Sequence, residues 1–179
     1  MMSRSIRFLS AGAATAALAA FALLSCARTP LGERAPTIDR GRSQCAACEM
    51  PIAEDRCCSG LVVTLAGTSS TRLYDDLGCQ FEDERDNPEM TVTRRWVRDY
   101  VAGGWIDGTS AAYVMSESIK TPMSHGIVAT TPGDAATQLA GKSQGRVLTL
   151  TDAKAAHHER MQRLYGPSTP PAPPAAEVK

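Results

Sequence analysis

The chain has 179 residues, 43% of them hydrophobic, and its 19 basic residues balance 19 acidic residues. This length supplies one ordinary domain with a hydrophobic core, but not two, once non-globular segments are set aside. No basic block with interleaved aromatic residues is present, so the sequence gives no support for nucleic-acid binding. No catalytic triad, phosphate-binding loop or nucleotide-binding fingerprint is visible, and we expect a protein that is not an enzyme.

Residues 1–25 have the composition of an export signal, with two arginines followed by an apolar run that stops at Cys26. The stretch ALLSC (22–26) is similar to a bacterial lipoprotein cleavage box, which predicts that Cys26 becomes the lipidated first residue of the mature chain. The alternative is an ordinary secretory signal with an unrelated cysteine. We therefore expect an exported protein, lipid-anchored to the bacterial cell envelope at its periplasmic face, in the outer membrane if the cell is Gram-negative.

Two further segments lack the periodicity of a folded element. Residues 26–43 mix proline, glycine and charge, which is typical of a flexible tether. Residues 166–179 are proline-rich and predict a disordered tail. A single domain over residues 44–165 remains between them.

The first half of this domain predicts the order strand, strand, helix, strand. The predicted elements are strands over 57–66 and 68–74, a helix over 77–85 and a strand over 90–97. Asp75 and Asp76 are suited to cap the start of the helix, and Asn87-Pro88 ends it.

The second half repeats this order and adds a last helix. The predicted elements are strands over 111–115 and 126–129, a helix over 131–142, a strand over 146–150 and a helix over 152–164. Thr131-Pro132 opens the first of these helices, and Thr151 is the expected cap of the second. The sequence therefore predicts an α+β fold in which two successive β-β-α-β units form one compact domain with a C-terminal helix.

Five cysteines follow Cys26, and an odd number in an exported protein leaves at least one free thiol or an intermolecular bridge. The first two lie in the CxxC motif CAACEM (45–50). A thioredoxin-like motif would begin a helix, yet Met50-Pro51 follows without helical periodicity. Structural zinc needs four nitrogen or sulfur ligands, and the adjacent Cys57 and Cys58 would point to opposite faces of a strand.

A third interpretation of the motif is a site for a soft metal ion. Thiolate and thioether sulfurs favour Cu(I), and Met50 lies two residues after Cys48. Another sulfur is available from Met123 in the polar loop TPMSHG (121–126), where a methionine is oddly placed for core filling. Spacing alone leaves the three interpretations open, because methionine usually fills gaps in a core.

Other cysteines and histidines have simpler structural explanations. We expect Cys79 to be a buried thiol, with Cys57 and Cys58 packed in a strand, joined to each other, or one of them bridged to Cys79. We expect His157 and His158 on a solvated helix face.

Five segments taken together resemble the NosL family, lipoproteins associated with assembly of nitrous oxide reductase. In family order they are CAACEMPI (45–52), LYDDLGC (73–79), WVRDY (96–100), GWIDGTSAAYV (104–114) and TPMSHGIVA (121–129). Tyr74 and Gly108 depart from the Phe and Ala usual in the family, and Cys57-Cys58 lies outside its pattern.

The resemblance implies a paired-unit α+β fold and a Cu(I) carrier that delivers copper to nitrous oxide reductase or its maturation machinery. It also implies that the copper ligands come from the CxxC motif and from two methionines. The candidates, in rank order, are Cys48, Met50 and Met123, followed by Cys45, His125 and Asp76.

Two other functions are compatible with the same CxxC motif. A thiol-disulfide oxidoreductase would use Cys45 and Cys48 and would have a helix beginning at Cys45. A structural envelope lipoprotein would have a disulfide-closed loop at the same two cysteines and would take up no metal.

Overall fold

The computed structural model describes residues 34–166, which contain seven strands and three helices. The strands are β1 (Ser59–Leu65), β2 (Thr68–Tyr74), β3 (Thr91–Arg98), β4 (Trp105–Asp107), β5 (Ala112–Met115), β6 (Ile127–Thr130) and β7 (Arg146–Leu148). The helices are α1 (Leu77–Asp86), α2 (Asp134–Ser143) and α3 (Leu150–Tyr165). No helix in this range is both long and apolar enough to cross a bilayer. The predicted leader, the lipidation site Cys26 and residues 167–179 of the predicted tail lie outside the described residues.

The strands form two antiparallel sheets, one in the order β2-β1-β3-β4 and the other in the order β6-β5-β7. In each sheet the first strand of the unit pairs with its hairpin partner on one side and with the strand after the helix on the other. The two halves therefore share one topology. The predicted α+β fold is confirmed, and the repeated β-β-α-β order corresponds to this pairing.

Several element boundaries differ from the sequence prediction, and strand β4 was not predicted because its three residues are too few to show an alternating pattern. Helix α2 begins at Asp134, after its N-cap Gly133 with a φ of +106°, so Thr131-Pro132 lies before the helix and does not open it. Helix α3 begins at Leu150 because Thr149, not Thr151, is its N-cap. The extended backbone of Thr149 lets its hydroxyl accept a hydrogen bond from the Asp152 N–H at 3.2 Å.

Two apolar layers position the chemistry-bearing residues. One layer lies where α1 and α3 pack against the second sheet, and it includes Phe81, Tyr113 and Ile127. The other lies under the first sheet and contains two cysteines together with aliphatic and aromatic side chains. Its buried members are Cys45, Leu61, Val63, Tyr74, Cys79 and Met90. Two thiols are thus part of a hydrophobic core.

Asp99 joins the two sheets at the end of β3. Its carboxylate accepts hydrogen bonds from the Thr130 hydroxyl at 2.8 Å and from the backbone and hydroxyl of Thr131 at 2.9 and 2.6 Å. It also accepts from two backbone N–H groups of the turn that follows. Next to it, the Tyr100 N–H donates to the Ala129 carbonyl of β6 at 2.8 Å.

Residues 36–43, which the sequence analysis assigned to the tether, contact the domain in this structure. Pro36 lies so close to Gly60 of β1 that a side chain at Gly60 would meet it at 2.8 Å. Arg40 forms an ion pair with Asp55 at 3.1 Å. The domain boundaries given above stay predictions.

Candidate metal centre

The CAACEM motif forms a closed loop. The Cys45 N–H donates to the Met50 carbonyl and the Glu49 N–H donates to the Cys45 carbonyl, both at 2.9 Å. Glu49 has a φ of +62°, the left-handed conformation that completes the turn. Residues 46–48 form a turn and none of residues 45–50 is helical, so the helix start expected of a thioredoxin-like motif does not form here.

This loop lies against the N-terminus of α1, and three thiols meet there. The sulfurs of Cys45, Cys48 and Cys79 and a carboxylate oxygen of Asp75 all lie within 4.8 Å of one another. The Cys48 sulfur is 3.8 and 4.0 Å from the two Asp75 oxygens. We call these four residues the thiol cluster. Its geometry allows several sulfurs to reach one ion.

Each part of the cluster has a local cause. Asp76 is the N-cap of α1, and its Oδ1 accepts the Gly78 N–H at 2.9 Å. The cap fixes where the helix begins, and so it directs Asp75 toward the loop and places Cys79 in the first turn. Cys45 and Cys79 are only 1% and 2% exposed, whereas Cys48 is partly exposed. The cluster has a buried part and one accessible thiol.

All five cysteines within residues 34–166 are free thiols. The expectation of a Cys57–Cys58 bridge, or of a bridge from either residue to Cys79, is therefore wrong, and the alternative in which both are packed holds. Cys57 packs in a third apolar cluster, and the Cys58 thiol donates to the Asp55 carbonyl at 2.9 Å. The CxxC loop carries no disulfide either.

The three thiols of the cluster differ in pKa. A hydrogen bond from the Cys79 thiol lowers the pKa of Cys45 to about 6, although burial opposes this. Donating that hydrogen bond, together with burial, raises the pKa of Cys79 far above its ordinary range. Burial raises the pKa of Cys48 to about 11. Of the three thiols, that of Cys45 therefore loses its proton most readily, and a thiolate is the form that binds metal.

The two candidate methionines are exposed, with 55% of Met50 and 41% of Met123 accessible. The Met123 N–H donates to Asp76 Oδ2 at 3.0 Å, while the other oxygen of that carboxylate caps α1. The loop 121–126 and the CAACEM loop therefore contact adjacent residues, Asp76 and Asp75. The assignment of Met50 and Met123 as ligands stays a prediction.

His125 lies on another side of α1. Its ring packs on Gly78, where an added side chain would overlap it, and its Nδ1 is 3.0 Å from Nε2 of His157. These two histidines and Glu82 form a second group of metal-ligand types, separate from the thiol cluster. The structure thus places His125 with a histidine and a carboxylate rather than with the three thiols.

The expectation that His157 lies on a solvated helix face is wrong, because this residue is only 2% exposed. Helix α3 packs against α1, so that the His157 ring meets Phe81 edge-on at 5.9 Å. Burial, and then the neighbouring His125, lower the pKa of His157 to about 3.

Cys79 and Asp75 were not among the ligands predicted from the sequence. A signal for them was present, since both lie in the segment LYDDLGC (73–79), which resembles the NosL pattern. Their residue types alone were equally consistent with a core thiol and a helix cap. Only the position of the CAACEM loop over α1 joins them to Cys45 and Cys48.

The fold and the site define an α+β domain of two β-β-α-β units with a sulfur-rich candidate metal centre where a loop meets a helix. A model of the NosL family matches residues 37–157, which is more than half of the chain, and the protein belongs to the NosL family.

One solved structure with this fold is the copper chaperone NosL from Shewanella denitrificans. It is 19% identical, with a TM-score of 0.58, and the match covers 66% of this chain and 94% of that one. At this identity the likeness establishes a shared fold. No curated protein gives a significant match.

Proposed function

We propose that this chain binds Cu(I) at the thiol cluster and passes it to an acceptor protein outside the cytoplasm. The observation that carries the proposal is the convergence of three thiol sulfurs within 4.8 Å of one another at the N-terminus of α1. Membership of the NosL family and a fold shared with a copper chaperone support the same function.

The donor set suits a soft monovalent ion. Thiolates select Cu(I), and hard ions such as Mg²⁺ prefer oxygen ligands. Cys45 has a lowered pKa and loses its proton most readily, and Cys48 becomes a ligand by releasing its proton as the ion binds. A deprotonated Cys45 and the carboxylate of Asp75 together attract a cation to the cluster.

The exposed methionines give the ion a route in and out. A thioether carries no charge, so Met50 and Met123 are weaker ligands than the thiolates and are more readily displaced by an acceptor. In this scheme they hold the ion at the surface before and after its contact with the thiol cluster. The protein works as a carrier and catalyses no reaction.

The cellular setting of this carrier is also a proposal. The leader and its cleavage box support lipid anchoring through Cys26 at the periplasmic face of the envelope. The family resemblance supports nitrous oxide reductase, or its maturation machinery, as the acceptor. Transfer of labelled copper from the loaded chain to metal-free nitrous oxide reductase tests the acceptor directly.

Copper binding is tested by anaerobic titration of the reduced full chain with Cu(I) in competition with a chromophoric chelator. We expect one tightly held ion, and Cys48→Ser should weaken its binding at least about tenfold, which corresponds to about 1.4 kcal/mol. Cys58→Ser, which changes a thiol outside the cluster, should leave the affinity unchanged. Failure of the wild-type chain to compete with the chelator would end the proposal.

A further inference from the structure

A second polar site lies behind the loop 121–126, where the start of β7 faces α3. A cavity of about 360 Å³ opens there. Three guanidinium groups line it, those of Arg146, Arg160 and Arg163, against one carboxylate, that of Glu117. We call this the arginine pocket.

The charges of the pocket are poorly compensated within the described part of the chain. Among residues 34–166, Arg146 forms neither an ion pair nor a side-chain hydrogen bond. Arg163 has only a long contact with Glu159, at 3.9 Å between two exposed side chains. Three like charges around one cavity repel one another, and an anion between them would relieve that repulsion.

Two arginines outside the pocket each bind both oxygens of a carboxylate. Arg72 contacts both oxygens of Asp83 at 2.7 and 2.8 Å, and Arg95 contacts both oxygens of Glu84 at 2.6 Å. In each case a planar guanidinium binds a carboxylate through two parallel hydrogen bonds. Within residues 34–166 no arginine of the pocket binds a carboxylate in this way, so these guanidinium groups keep the same capacity.

The pocket is connected to the loop that carries Met123. Arg160 donates from Nη1 to the His125 carbonyl at 2.9 Å. The next residue, Gly126, has a φ of +65°, and a side chain there would meet the Ser116 carbonyl at 2.3 Å and Arg160 Nη1 at 3.3 Å. One side of Arg160 thus supports the loop while the residue also lines the cavity.

We propose that the arginine pocket binds a carboxylate side chain from an acidic segment of a partner protein. If the proposed function holds, that partner is the metal acceptor, which the pocket would orient beside the loop 121–126. The pocket is a single half-open concavity on a chain of zero formal net charge, whereas nucleic acids and anionic membranes need several spread cationic contacts. The shape and charge therefore favour a carboxylate.

The test uses the metal-free, isotope-labelled full chain and a hexaglutamate peptide, with backbone amide shifts as the readout. We expect the shifts to concentrate at residues 115–117, 144–146 and 160–164, and the affinity to fall as salt rises. The double variant Arg146→Gln and Arg163→Gln should weaken peptide binding at least tenfold. Arg94→Gln, which removes one exposed guanidinium from β3, should not change it.

Two parallel titrations separate the sources of an anion. Inorganic phosphate that shifts these amides while the peptide does not would overturn the proposal, as would arginine-dependent binding to phosphatidylglycerol vesicles without peptide binding. Absence of any peptide-induced shift would overturn it as well. Because no copper is present, these outcomes are independent of the test of the proposed function.

Discussion

At the scale of single residues, Cys79 has the largest effect on the thiol cluster, because hydrogen bonding from its thiol is the main cause of the lowered pKa of Cys45. An isolated thiolate would be costly inside a hydrophobic layer, so a neighbouring donor favours the charged form of Cys45. The sulfur that donates has its own pKa raised as a consequence. One pair of cysteines therefore supplies both an anionic ligand and a proton that a metal ion can displace.

Replacing Cys79 tests this arrangement. Cys79→Ala should raise the pKa of Cys45 from about 6 toward its ordinary value of 9.0, and it should weaken Cu(I) binding about tenfold or more. The pKa is measured from the pH dependence of thiolate absorbance, and the affinity by chelator competition. Cys57→Ala, which removes a buried thiol outside the cluster, should change neither quantity. An unchanged affinity in Cys79→Ala would remove Cys79 from the site.

His157 gives the fold a defined response to acid. The unfolded chain takes up a proton near the ordinary histidine pKa of 6.5, whereas the folded chain does so only near 3. The unfolded state thus binds more protons between these values, so stability is full above pH 6.5 and falls as pH decreases toward 3. One such group contributes at most about 1.4 kcal/mol per pH unit.

The free energy of unfolding of His157→Gln, measured in urea from pH 6.5 to 4.5, should therefore depend less on pH than that of the wild type. Its stability at pH 7 should also fall, since His125 loses its partner. His158→Gln, on the partly exposed side of the same helix, should keep the wild-type dependence. Parallel curves for wild type and His157→Gln would contradict this account.

At the scale of elements, the first turn of α1 organises both metal-ligand groups. The cap at Asp76 holds the Met123 backbone, and Gly78 leaves room for the His125 ring. Cys79 follows directly and belongs to the thiol cluster. The helix start therefore determines where the loop 121–126 lies relative to the three thiols.

A methyl group at Gly78 should displace that loop. In Gly78→Ala the new carbon would lie 2.0 Å from the His125 ring, so we expect a loss of stability of about 1–3 kcal/mol and altered amide shifts over residues 121–126. Gly141→Ala in α2 meets nothing within 4 Å and should instead stabilise the fold by about 0.5–1 kcal/mol.

These two glycine variants, together with Met123→Ala, test whether the loop 121–126 takes part in copper binding. If Met123 is a ligand, Gly78→Ala and Met123→Ala should weaken Cu(I) binding to a similar extent, with Gly141→Ala unchanged. Full affinity in Met123→Ala would exclude this methionine from the site and leave the thiol cluster and Met50 as the candidate donors.

At the scale of the whole molecule, Asp99 holds the two repeated units together. Burial alone would raise its pKa, but hydrogen bonds from Thr131 and neighbouring donors hold the pKa well below the ordinary value. Three of the five hydrogen bonds that reach this carboxylate come from Thr130 of β6 and from Thr131 directly after it, and these join the two sheets. The other two come from backbone N–H groups of the turn that follows β3.

Asp99→Asn should lower the free energy of unfolding by about 2–4 kcal/mol, because the amide nitrogen would face donors and leave them unsatisfied. Thermal or urea unfolding at neutral pH measures the change. Glu89→Gln, which removes an exposed carboxylate on the first unit, should stay within about 0.5 kcal/mol of the wild type. An Asp99→Asn variant of wild-type stability would show that the sheets are held by packing alone.

Much of this architecture could be predicted from local patterns. The strands β1 to β3 and β5 to β7 and all three helices follow from runs of β-branched residues, caps and breakers, which act within a few residues. Strand β4 was not predicted because three residues carry no periodicity. The burial of His157 was not predicted because it depends on the packing of α3 against Phe81, a residue distant in sequence.

The candidate site likewise combines features that local sequence patterns predict with features that depend on contacts between remote segments. The α+β order, the CxxC loop and the family follow from composition, short motifs and their order along the chain. Three features appear only once the chain is folded: Cys79 and Asp75 join Cys45 and Cys48, His125 pairs with His157, and three arginines share a cavity. Ligand sets and charge clusters depend on distances between remote segments, and these distances are set by the packing of sheets and helices rather than by sequence spacing.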